Sequence, residues 1–202
     1  MGFMHHPFPM QIFRAYDIRG KVSLLNVSMV NAIAHGLAQQ YQSAGQTRVA
    51  IGYDARLSSP TYAHIIQRTL SLYAIEAHII GCCSSPMLYY TSREFDGNGI
   101  MITASHNPRE DNGIKWLINN QPPCPEMIQA VGLEAQKYYS DELQQIDWIE
   151  HEIIPEYCLK YQQSIFNDIQ LKRRYRVVLD GLNGSAGRCA ALVLNKLGCD
   201  LT

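Results

Sequence analysis

The chain has 202 residues, enough for one domain and part of another. Hydrophobic residues make up 47% and charged residues 17%, an ordinary globular balance. A net charge of −1 gives no global field to gather nucleic acid, and no apolar run is long enough to span a bilayer, so neither is expected as a partner.

In chain order, residues 1–10 show no signal-peptide pattern, and His5-His6 is too short for a tag or a metal site. Without a secretion signal, the six cysteines (82, 83, 124, 158, 189 and 199) read as reduced thiols that mostly pack. None forms a C-x-x-C pair and no His spacing completes a zinc set. The expected compartment is the cytoplasm. Residues 13–20, Phe-Arg-Ala-Tyr-Asp-Ile-Arg-Gly, suggest a short extended segment ending at Gly20. Arg14, Arg19 and Tyr16 together would hold a phosphate, since arginine forks bidentately and tyrosine donates. The alternative is an edge strand with solvated charges, Asp17 pairing with Arg14 or Arg19.

Val30, Ile33, Ala34, Leu37, Ala38 and Tyr41 recur at helical spacing, with Asn26 or Ser28 as cap and Gly45 as stop. His35 is expected on that helix's surface or edge. Residues 48–52 form a strand, residues 53–60 its loop, and Pro60 suits a first helical turn. Tyr62, Ile65, Ile66, Thr69, Leu70 and Tyr73 mark the next helix. Residues 77–81 make a third strand, and Cys82-Cys83-Ser84-Ser85-Pro86 turns into a helix holding Leu88, Tyr89 and Phe95.

Ile100, Met101 and Ile102 read as a strand buried on both faces. It stops at Thr-Ala-Ser105, three small residues that let an anion approach the backbone. Pro108 biases Asn107 towards extended geometry. Asn112-Gly113 offers a positive-φ turn into a return strand over 114–118. Ser105 thus stands on a stiff loop at a strand's carboxyl end, where open α/β sheets bind ligands. Its hydroxyl is a nucleophile, a cap or a loop serine bonding its own backbone. A hydrolytic triad is not supported: there is no G-x-S-x-G elbow, and adjacent Ser105 and His106 are not expected to face each other.

Asn119-Asn120-Gln-Pro-Pro is a break, and Pro125-Glu126 opens a helix with Ile128, Val131 and Ala135 on one face. Residues 141–152 are acidic and poor in pattern. Residues 157–166 read as a linking helix, 175–180 as a strand and 190–197 as a helix. The glycine-rich turn at 181–187 would cradle phosphate or simply connect strand to helix. The last five residues look like the start of another strand. Alternating strands and helices predict an α/β fold, a mixed or parallel sheet between helices. The first domain is expected over 1–155 and the start of a second over 156–202.

Thr-Ala-Ser105-His106-Asn-Pro followed by Asn-Gly-Ile-Lys115 resembles the active-serine loop of the α-D-phosphohexomutases. The string at 13–20 is similar to the opening motif of their phosphomannomutase/phosphoglucomutase branch. The phosphoglucosamine branch usually opens with a Gly-Thr-Asp-type string, which this chain lacks. Similar strings also occur in the family at Gly52-x-Asp54-x-Arg56-x-Ser58 and at 180–187. The first would brace the serine loop through an Asp54–Arg56 ion pair, with direct substrate contact as the alternative.

The resemblance covers nearly all of this chain but under half of a typical member. It implies a phosphoserine at Ser105 that interconverts hexose 1- and 6-phosphates of mannose or glucose through a hexose bisphosphate. Lys115 would be general acid/base or neutralise charge, with Arg19 holding it in place. His106 would donate to phosphoryl oxygens and Tyr16 contact the substrate. Mg²⁺ would bind the Ser105 phosphate, with its remaining ligands on an Asp-Gly-Asp-x-Asp-Arg loop absent from this sequence. The chain alone is therefore expected to be inactive, and to self-associate through its incomplete second sheet. A non-catalytic phosphate- or phosphosugar-binding module from a truncated gene is the alternative.

Overall fold

The structure is a computed structural model that describes residues 8–140, 149–151 and 154–202. His5, His6 and most of the acidic stretch at 141–152 lie outside the described residues. Among the described residues thirteen strands and α-helices follow one another: β1 (Ile18–Lys21), α1 (Val27–Ser43), β2 (Arg48–Tyr53), α2 (Ser59–Ser71), β3 (Glu76–Cys82), α3 (Ser85–Thr91), β4 (Gly99–Ile102), β5 (Asp111–Leu117), α4 (Pro125–Ala135), α5 (Pro155–Asp168), β6 (Arg176–Val177), α6 (Gly187–Lys196) and β7 (Asp200–Leu201).

The first five strands make one mixed sheet in the order β1-β5-β4-β2-β3. β2 runs parallel to β3 and β4, whereas β5 is antiparallel to both β4 and β1. β2 is buried at every residue but its first and β4 throughout, as strands covered on both faces must be. β6 and β7 form a separate parallel pair.

Two cores cover the sheet. The larger packs α1, α2 and α4 against Ile51, Ile100, Ile102, Ile114 and Trp116. The smaller joins Ala50, Ile80 and Met101 to Met87, Leu88 and Phe95, with Tyr157, Cys158 and Tyr161 of α5 resting on it. Its buried members come from β2, β3, β4, α3 and adjoining turns, none from β1 or β5.

Helix ends follow the sequence chemistry. Asn26, not Ser28, caps α1, accepting from Met29 N at 2.9 Å. Pro60, Pro86 and Pro125 sit in first turns. His35 sits at the helix's edge, half-buried: its ring stacks on Tyr138 at 4.0 Å and bonds the Tyr73 hydroxyl at 2.8 Å. Phe95 lies beyond α3, in a 3₁₀ turn over Ser92–Phe95.

The strand expected over 175–180 is shorter. Only Arg176–Val177 pairs as strand, and Val178 is 83% exposed, because the described residues give this pair no further neighbour. Asn112 and Gly113 do not form the expected turn. They lie inside β5, and the reversal falls at residues 105–110, with Ser105 at φ 57°. Gly113 instead meets a need for close approach: a Cβ there would stand 2.6 Å from Ile18 O and 2.7 Å from Thr103 O.

Candidate active site

β1, β2, β3 and β4 all end at one edge of the sheet, and the loop after β4 carries Ser105. Thr103 and Ala104 are buried while Ser105 and His106 are exposed, so the chain leaves the core within one residue. The left-handed backbone at Ser105 is costly for an L-residue with a side chain. Interactions around the loop hold it there. Ser105 N donates to Thr103 Oγ1 at 2.9 Å, and that hydroxyl donates to Asp54 Oδ2 at 2.7 Å.

Asp54 and Arg56 brace the loop. The Asp54 carboxylate also accepts from Ser59 Oγ at 2.8 Å and from Arg56 N and Nε at 3.0 Å each. The Arg56 guanidinium then donates to four loop carbonyls: Ser105 (3.0 Å), Asn107 (2.8 Å), Pro108 (2.6 Å) and Asp111 (2.9 Å). A planar fork with five donors suits this clustered set of carbonyls, where a lysine would reach only some. Asn112 anchors the start of β5 to α2 through Ser58 and Ser59 Oγ, at 2.8 and 3.0 Å.

The cations stand beside the loop, on the sheet face of the smaller core. Lys115 pairs in register with Met101, and Arg19 with Gly113. The two cations meet through a carboxylate rather than directly. Asp17, 5% exposed, accepts from Lys115 Nζ at 3.0 Å and from Arg19 Nη2 at 2.5 Å. Burial pushes the Asp17 carboxyl up, but bonds from Lys115 and Arg19 outweigh that and hold it below its ordinary value. Arg19 Nη1 reaches Asn107 Oδ1 at 2.9 Å, and Asn107 Nδ2 reaches Asp111 Oδ2 at 2.7 Å. A continuous line of polar contacts thus joins Lys115 to the serine loop. Arg19 Nε is buried without a partner among the described residues.

Ser105 Oγ and His106 Nδ1 do approach, at 3.4 Å, against expectation. The left-handed turn at Ser105 brings neighbouring side chains to one side. Among the described residues no carboxylate bonds His106, so no triad is formed. Tyr16 is 84% exposed. The pair at Asp17 was open to sequence reasoning only as one choice among surface partners. Its real signal is register: with Ile18 opposite Ile114, Asp17 falls opposite Lys115. Thr103 and Asn107 left no such signal, because their roles depend on how the loop folds.

No metal set closes around Ser105. Asp54 is committed to Arg56, Ser59 and Thr103, and Asp111 to Asn107. Among the described residues no three His, Cys, Asp or Glu side chains are grouped to hold an ion. A cavity of about 630 Å³ lies elsewhere, between α1 and α4 on the opposite face, lined by Gln40, Met127 and Glu134 among others.

The family model of the phosphoglucomutase/phosphomannomutase alpha/beta/alpha domain I matches residues 10–140. The chain belongs to this family. A phosphomannomutase/phosphoglucomutase of Pseudomonas aeruginosa is 32% identical over 96% of this chain and 41% of its own length. A phosphoglucomutase of Neisseria meningitidis is 33% identical over 95% of this chain and 41% of its own. The chain therefore spans about two fifths of the curated relatives it matches. A phosphoglucomutase/phosphomannomutase family structure from Burkholderia thailandensis superposes with a TM-score of 0.81 at 24% identity, covering 96% of this chain and 43% of that one. The likeness at that identity shows the α/β fold. Among the described residues no helix is long and apolar enough to cross a membrane.

Proposed function

We propose that the chain is the N-terminal part of a phosphohexomutase that interconverts hexose 1-phosphate and hexose 6-phosphate, of mannose or glucose, in the cytoplasm. The supporting observation is the exposed Ser105 hydroxyl, held at a strand's carboxyl end and joined by polar contacts to Lys115. Ser105 carries a phosphoryl group. A sugar hydroxyl oxygen attacks phosphorus, the bond to Ser105 Oγ breaks, and a hexose bisphosphate forms. Its other phosphoryl group returns to Ser105 after the sugar turns round. The transition state is loose and charge-rich, so positioned cations supply most of the catalysis.

In this reading Lys115 takes the hydroxyl proton or neutralises charge beside it, and Arg19 with Asp17 fixes its position. His106 donates to the phosphoryl oxygens, and Tyr16 meets the substrate. Mg²⁺ would neutralise the Ser105 phosphate, and among the described residues no group of three His, Cys, Asp or Glu side chains stands ready to complete its ligand set. Residues 1–155 form the first domain of the reading and 156–202 open the second.

The test is intact mass with peptide mapping after incubation with a hexose bisphosphate. A gain of about 80 Da located at Ser105, and absent from Ser105→Ala, is expected. Phosphate binding without any adduct would overturn the reading in favour of a binding module. The isolated chain, given Mg²⁺ and bisphosphate, is expected not to convert mannose 1-phosphate, and measurable turnover would refute that part.

A further inference from the structure

Away from the serine loop, two thiols from different helices share one amide. Cys158 lies on α5 and Cys189 on α6. Gln162, 6% exposed, is the buried residue of α5, and α6 buries none. Gln162 Nε2 points at both sulfurs, 3.2 Å from Cys158 Sγ and 3.8 Å from Cys189 Sγ. The sulfurs therefore stand no further apart than those two distances end to end. Both cysteines are half-buried and unbridged. Cys83 is the next thiol near Cys158, but it is closed off in the smaller core, where burial pushes it up to about 12.

We propose that Cys158 and Cys189 are a dithiol site that closes to an intrachain disulfide under hydroperoxide oxidants and ties α6 to α5. One sulfur attacks a peroxide oxygen as its thiolate: an S–O bond forms, the O–O bond breaks, and the departing hydroxide leaves as water. The second sulfur then attacks the sulfenic acid: the S–S bond forms, the S–O bond breaks, and a second water leaves with the remaining thiol proton. Sulfur is oxidised and peroxide reduced, two thiols and one hydrogen peroxide giving one disulfide and two waters. Burial pushes the Cys158 thiol up, so closure is slower at neutral pH than for an exposed thiolate and quickens in alkali. The bridge has a structural effect because α6 otherwise rests on α5 with nothing buried.

The experiment treats the full chain with hydrogen peroxide, followed by intact mass and non-reducing peptide mapping. A loss of about 2 Da, reversed by dithiothreitol, is expected, with one cross-linked peptide pair containing Cys158 and Cys189. Formation should be several-fold faster near pH 9 than near pH 7. Trypsin cleavage after Arg188 and Lys196 should slow several-fold in the oxidised form. Cys189→Ser should abolish the mass loss and Cys199→Ser should not. A different pair in the wild-type map, stepwise oxygen addition at Cys158 or Cys189 without cross-linking, or unchanged trypsin cleavage would overturn the proposal. The wild-type map decides the pairing even where a variant folds poorly.

Discussion

Replacing Asp17 with Asn removes one charge and keeps the shape. It leaves Lys115 and Arg19 as two cations facing each other where the carboxylate was 5% exposed. A hydrogen bond to a charged group is worth about 1.5–3 kcal/mol. Two such bonds weaken, but Lys115 is 29% exposed and recovers water, which discounts its share. Asp17→Asn should therefore cost about 2–3 kcal/mol at neutral pH. The sign of the pH dependence follows from the carboxyl being held below its ordinary 3.8 in the fold. A depressed carboxyl stabilises above the unfolded value, and its contribution is lost as pH falls through the folded one. The gap between wild type and Asp17→Asn should be full above about pH 5 and close as pH falls below about 4. Urea unfolding midpoints at neutral pH and near pH 3, with unchanged m-values, measure it. A neutral-pH gap below about 0.5 kcal/mol, or one that persists undiminished in acid, would refute the buried counter-ion.

Arg56→Lys keeps the charge but not the fork, and leaves some of five acceptors unpaired. A loss of about 2 kcal/mol is expected, with faster amide exchange confined to residues 103–111. Unchanged exchange there would show that Arg56 does not shape the loop. At Ser105, φ 57° favours glycine, so Ser105→Gly should be more stable than Ser105→Ala by about 1 kcal/mol. Equal melting points would exclude a left-handed residue. β6 and β7 form a two-stranded sheet beside exposed Val178, Leu182 and Leu192. Such edges pair with other copies, so we propose self-association, seen as a rise in light-scattering mass with concentration. A monodisperse monomer across the range would refute it.

Periodic stretches were legible from the sequence. Leu37, Ala38 and Tyr41 on α1, and Ile128, Val131 and Ala135 on α4, point inward because helical spacing leaves one apolar face to bury. The strand over Ile100 to Ile102 followed from an unbroken apolar run. The loop was less legible. Asn-Gly is the ordinary signature of a reversing turn, yet Asn112 and Gly113 sit in β5. There an amide is wanted for Ser58 and Ser59, and a missing Cβ for Ile18 O. The reversal fell to Ser105, whose strain is offset by Arg56 and Thr103, a compensation no local pattern encodes. Asp17 pairing with Arg19 was one of the choices the sequence offered, but the contact from Asp17 to Lys115 was hidden for another reason: strand register brings together residues nearly a hundred positions apart.

The smaller core stops short of β1 and β5, and this has a consequence for approach. Among the described residues no buried member of the smaller core comes from the flanking strands bearing Lys115 and Arg19, while the Ser105 hydroxyl stands at the rim of the same sheet. Rim and flank meet at a corner. A molecule touching both Ser105 and Lys115, the most exposed of the three charged groups at 29%, would have to span that corner.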